Sequence, residues 1–206
     1  FAVAGYDVLL TDVNQDALDR AVALIDRNLT RQVSKDMIDE AAKLAAMKRI
    51  VTTAKLTDLG QTDLIIEAAT ERETIKQAIF DDLLPHLKPD TILTSNTSSI
   101  SITRLASRTD RPERFMGFHF MNPVPIMQLV ELIRGIATDE PTFRACEAVV
   151  ARLGKTSTAS EDFPAFIVNR ILMPMINEAI YTLYEGVGSV QSIDTSLKLG
   201  ANHPMG

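Results

Sequence analysis

Short apolar runs alternate along this chain with longer stretches of helical spacing, and the links between them are brief. A strand followed by a helix and a second strand packs most readily as a parallel crossover. Repetition of that unit predicts an α/β fold, a doubly wound, Rossmann-like, mostly parallel sheet. Strands are expected at 7–12, 50–53, 63–69, 91–95, 115–120, 130–133 and 155–159. Helices are expected at 16–33, 35–47, 72–87, 101–107 and 141–153, with Asn14 as an N-cap and Pro141 in a first turn. The character changes near Phe163. Ile167, Ile171, Leu172, Met175, Ile176, Ala179, Ile180 and Leu183 mark one long helix over 165–185, which Pro174 should kink. A short helix follows at 192–199. The chain is therefore expected to divide into a sheet domain, 1–162, and the start of an all-α second domain, 163–206.

Bulk properties narrow the function. With 46% hydrophobic residues the chain can bury a core and is not a disordered segment. Its formal net charge of −6 argues against a nucleic-acid partner. The apolar stretch around Phe166 to Tyr184 is broken by Asn169, Arg170, Asn177 and Glu178, so no membrane span is expected. One cysteine, Cys146, allows no disulfide framework, and the scattered histidines give no metal-ligand spacing. A reducing, cytoplasmic setting is the expectation.

Ligands of open α/β sheets bind at the carboxyl ends of the strands. The polar residues expected there are Asp12, Glu71, Ser95 to Ser99, His119 and Asn122. Each one alone reads as an ordinary turn or cap residue; the set points to a site. An acid closing a strand, as Asp12 does, is placed to bind ribose hydroxyls. No arginine follows in Val13-Asn14-Gln15, which favours NAD over NADP. His119 is the strongest single candidate, because oxidation of an alcohol by hydride transfer needs a base near neutral pKa. Glu131 is a lone acid in an apolar strand and would suit as its partner. A satisfied core histidine with an edge glutamate also explains the pair, and the residues alone slightly favour it. Asn96 to Ser99 and Asn169-Arg170 offer further polar groups for a carbonyl or an amide, with cap roles as the alternative.

Four stretches carry a family resemblance: Ser95-Asn96-Thr97-Ser98-Ser99, Gly117-Phe118-His119-Phe120-Met121-Asn122-Pro123-Val124-Pro125, Phe166-Ile167-Val168-Asn169-Arg170 and Lys198 to Gly206. In order and spacing the chain resembles the 3-hydroxyacyl-CoA dehydrogenases, especially the short-chain, 3-hydroxybutyryl-CoA type. The resemblance implies an NAD-dependent oxidoreductase acting on 3-hydroxyacyl-CoA or 3-oxoacyl-CoA. It implies catalytic roles for His119, Glu131, Ser98 and Asn169, and cofactor contacts at Asp12, Glu71, Lys76, Ser98 and Asn122. The helix pair over 16–47 resembles the family's excursion beside CoA, where Arg27, Arg31 and Lys35 would meet phosphates; a solvated basic face explains them as well. A homodimer through the second domain is implied too.

Phe1 is not a methionine, and Gly200 to Gly206 is turn-like, so the chain reads as a fragment. On that reading it lacks the first strand and Gly-rich turn of the sheet and part of the second domain, and the 206-residue polypeptide is expected to be catalytically poor. Competing readings are a dehydrogenase with a lysine base, a crystallin-like structural or binding paralogue, and the dehydrogenase part of a bifunctional β-oxidation protein. No lysine lies in the central site stretches, which weighs against the first.

Overall fold

In the computed structural model, which describes residues 1–206, each expected apolar run forms a strand. Strands β1 (Val8–Thr11) and β2 (Ile50–Thr53) make a parallel two-stranded ladder. A second sheet holds β3 (Leu64–Glu67), β4 (Ile92–Ser95), β5 (Phe115–Phe120), β6 (Leu129–Arg134) and β7 (Thr156–Glu161), hydrogen-bonded in that order. Around these strands lie α1 (Gln15–Val33), α2 (Glu40–Lys48), α3 (Glu73–Leu83), α4 (Ile102–Ala106) and α5 (Glu140–Arg152). Residues Phe1–Phe163 form one unit and Pro164–Gly206 a second.

Two elements of the first unit, α2 and β6, depart from expectation. The second helix begins at Glu40 rather than at 35, because Asp36 takes a φ of 55° and Asp39 then caps the helix, its carboxylate accepting the Ala42 N–H at 2.7 Å. A chain that visits the left-handed region cannot propagate a right-handed helix through that point. More consequentially, β6 runs antiparallel to β5, where strict strand–helix alternation predicts a parallel neighbour. The link 121–128 is too short for a parallel crossover, which needs about a dozen residues or more. β7 is parallel to β6, so the last two strands run against the first three.

Strand β5 shows why its sequence lacks polar alternation. Met116 and Phe118 pack with Val130, Leu132, Phe143, Cys146 and Val150 on the α5 side. Phe115, Gly117 and His119 face the other way, with Phe115 edge-on to Phe80 of α3 at 5.2 Å between ring centroids. Covered on both faces, the strand is buried from Phe115 through His119. Burial pushes the Cys146 thiol up to about 12, which makes it a core residue and not a reactive one.

The second unit contains α6 (Val168–Tyr184), which runs through Pro174 as one helix, and α7 (Val190–Thr195), followed by a π-type turn, Ser196–Gly200. Helix α6 starts later than expected because Ala165 and Phe166 have φ of 66° and 55°. No helix is long and apolar enough to cross a membrane.

Two positions carry predictions for stability. A Cβ on Gly117 would lie 2.8 Å from Ile133 Cβ and 3.0 Å from Ile102 Cδ1. Gly117→Ala should therefore cost about 1–3 kcal/mol of unfolding free energy in chemical denaturation; an unchanged midpoint would contradict this packing. Asp162 ends the first unit by accepting from Ser101 Oγ at 2.7 Å and from the N–H groups of Ile102 (3.0 Å) and Thr103 (2.8 Å). Burial opposes its charge, but these hydrogen bonds prevail and hold its carboxyl below the ordinary 3.8. The stabilisation is complete above the unfolded-state value and is lost as pH falls through the lower folded-state value. Asp162→Ala should cost about 1 kcal/mol at neutral pH, with the gap to wild type narrowing only below the usual carboxylate range. A gap independent of pH would rule out this origin.

Candidate functional site

The antiparallel pairing of β5 with β6 places His119 directly opposite Glu131. Cross-strand neighbours project to the same face with their Cβ atoms about 5 Å apart, so these side chains meet without help from any loop. His119 Nδ1 lies 2.9 Å from Glu131 Oε2, with the two residues 4% and 0% exposed. A carboxylate so deeply buried is tolerable only when paired. An ionised Glu131 can only accept, so Nδ1 carries the proton of the neutral ring and Nε2 keeps the lone pair. That second nitrogen faces Ser98 Oγ at 3.0 Å. Glutamate, imidazole and hydroxyl thus form one hydrogen-bonded line.

Ser98 reaches this line from the turn that leaves β4, and Glu71 fixes that turn. Glu71 Oε1 accepts from Thr97 Oγ1 (2.6 Å), the Ser98 N–H (2.9 Å), the Ser99 N–H (3.0 Å) and Ser99 Oγ (2.9 Å). Partial burial works against the Glu71 charge. The hydrogen bonds of Thr97, Ser99 and Ser98, with the Lys76 charge, outweigh it and hold the carboxyl below its ordinary 4.5. Asn96 Oδ1 accepts the Phe120 N–H at 2.8 Å, tying the same turn to the end of β5.

The other sequence-derived candidates fall as follows. Asp12 stands just past β1 with its side chain exposed, Oδ1 accepting the Asn14 N–H at 2.9 Å. Asn122 is exposed just past β5, before a cis peptide to Pro123. Lys76 is buried in α3, its ammonium 2.9 Å from Glu67 Oε1, with Glu71 Oε2 at 3.6 Å. Asn169 lies in the first turn of α6, in the second unit. The structure therefore joins Ser98, His119, Glu131, Glu71 and Lys76 in one network around the ends of β3, β4 and β5. Sequence reasoning overlooks Glu67; it includes Asn96 and Thr97 among the polar groups of the turn but does not foresee that Asn96 ties it to β5 or that Thr97 is held by Glu71. A signal for Glu67 exists: Lys76 shares the buried stripe of α3 with Phe80 and Leu83, and an inward-facing lysine demands an acid.

A serine–histidine–glutamate line can support acyl hydrolysis as well as proton abstraction from an alcohol. Comparison with relatives identifies the family. Residues 1–163 match the family model described as 3-hydroxyacyl-CoA dehydrogenase, NAD binding domain, and residues 166–206 match the C-terminal domain of the same family. A 3-hydroxybutyryl-CoA dehydrogenase of Bradyrhizobium diazoefficiens is 63% identical over 205 residues, covering 100% of this chain and 70% of that protein. Human mitochondrial hydroxyacyl-coenzyme A dehydrogenase is 40% identical, with 100% of this chain and 67% of that protein covered. The crystal structure of (S)-3-hydroxybutyryl-CoA dehydrogenase from Ralstonia eutropha superimposes with a TM-score of 0.97 at 46% identity, covering 100% of this chain and 72% of the other. The chain belongs to the 3-hydroxyacyl-CoA dehydrogenase family of NAD-dependent oxidoreductases.

Proposed function

We propose that the protein oxidises the C3 hydroxyl of a 3-hydroxyacyl-CoA, and reduces the 3-oxo thioester in reverse, with His119 as general base. The hydrogen-bonded line from Glu131 through His119 to Ser98 carries this reading. Nε2 of His119 takes the hydroxyl proton, and Ser98 Oγ, already 3.0 Å from that nitrogen, orients the same hydroxyl. Glu131 holds the ring by Nδ1–H and offsets the charge of the imidazolium as it forms. Because Glu131 has no exposed surface, little solvent screening weakens that interaction. Asn169 is assigned to orientation of the acyl substrate.

The residues at the strand ends fit a dinucleotide. The exposed Asp12 carboxylate suits ribose hydroxyls, while Glu71, Ser98 and Asn122 offer acceptors and donors without positive charge. When bound there, NAD supplies the hydride acceptor for C3. Lys76 serves this side through Glu71, whose second oxygen faces its ammonium. Arg27, Arg31 and Lys35 are exposed on and just beyond α1, open to CoA phosphates. Relatives named for 3-hydroxybutyryl-CoA make a four-carbon acyl chain the first substrate to try. A homodimer through the second unit is part of this reading, on the family resemblance. A cytoplasmic location accords with the bacterial relatives.

The test is reduction of acetoacetyl-CoA by NADH, followed spectrophotometrically in the full-length enzyme. His119→Gln should lower kcat by at least about 100-fold while NADH binding, titrated by fluorescence, stays close to wild type. Turnover near wild type would remove His119 from the mechanism. Glu131→Gln should lower kcat by a further-measured factor of at least about 10, because the amide neither fixes the tautomer nor offsets the imidazolium charge. Equal turnover in wild type and this variant would show that the carboxylate is structural only.

A further inference from the structure

Helix α3 turns Lys76, Phe80 and Leu83 inward, and the lysine meets Glu67 with the two residues 1% and 4% exposed. Burying two charges costs desolvation that their attraction only partly returns, and a well-packed apolar pair often serves stability as well or better. What an apolar pair would lack is direction. Glu67 Oε1 accepts the Ala69 N–H at 2.6 Å and Lys76 Nζ at 2.9 Å, while Oε2 accepts Ser95 Oγ at 2.6 Å and Lys76 Nζ at 3.0 Å. Lys76 also donates to the Ala69 carbonyl at 3.2 Å.

Two routes lead from this carboxylate toward Ser98. On one, Ser95 Oγ, held by Glu67, accepts the Thr97 N–H at 3.3 Å and so sets the first step of the turn. On the other, Glu67 and Lys76 together fix Ala69 and face Glu71 with the ammonium, and Glu71 clasps Thr97, Ser98 and Ser99. The first route ends on Thr97, the chain neighbour of Ser98, and the second on Ser98 itself, the residue that touches His119 Nε2. We propose that Glu67 is a positioning residue of the reaction: acting through Ser95, Lys76 and Glu71, its buried carboxylate sets where the Ser98 hydroxyl stands against His119. This rests on the reading of Ser98 and His119 given above.

A double-mutant cycle in kcat, at saturating NADH and acetoacetyl-CoA, tests it in the full-length enzyme. Ser98→Ala and Glu67→Gln should each lower kcat by about 10-fold or more, and the double variant should fall within about twofold of the worse single variant. If the two losses multiply, Glu67 does not act through Ser98, and the proposal fails while the role of Ser98 stands. If Ser98→Ala keeps wild-type turnover, the reading of Ser98 fails and the positioning role with it. Glu67→Gln leaves the Lys76 charge poorly matched and can prevent folding, so Ser95→Ala runs in parallel, since it removes one route and leaves the ion pair intact. Its loss in kcat should be at least about threefold and should vanish in the Ser98→Ala background; a loss that persists there overturns the proposal equally.

Discussion

The antiparallel pairing of β5 with β6 is the constraint on which the rest depends. Pairing in that sense puts His119 and Glu131 on one face at one level of the sheet. Their hydrogen bond is then set by ladder geometry and by packing on both faces, not by a flexible loop. Rigid placement matters because a base misplaced by about an ångström loses much of its advantage. Gly117 belongs to the same design: the strand can approach Ile133 and Ile102 closely only without a Cβ there.

Around that pair, the loops at the strand ends are held by carboxylates rather than by apolar packing. Glu71 gathers the turn after β4, Asp162 gathers the start of α4, and Glu67 ties the ends of β3 and β4 to α3. Loop backbone carries unpaired N–H groups, and a carboxylate satisfies several at once with charge-assisted bonds. The lowered pKa values of Glu71 and Asp162 are the thermodynamic counterpart of those bonds. A site built this way can be polar at its rim and still ordered.

Much of this was legible in the linear pattern. The alternation of apolar runs and amphipathic stretches locates all seven strands, because period and burial are local properties. His119 and Glu131 stand out as polar residues in apolar strands. The reversal of β6 was also within reach, since the link 121–128 is shorter than a crossover allows; alternation alone hides it. The late start of α2 was harder to see, as the apolar spacing over 35–47 continues through Asp36 while the backbone does not.

The sequence by itself determined the order and kind of the elements, the family, and the residue types available for chemistry, because these depend on spacing along the chain. The tertiary structure alone decided which polar groups meet. Lys76 is separated from Glu67 by one helix turn and a loop, and Ser98 from His119 by a helix and a strand. Such encounters follow from register, strand direction and the facing of α3, which are fixed only when every apolar surface is buried together. The same collapse leaves each buried charge to find its partner or destabilise the fold.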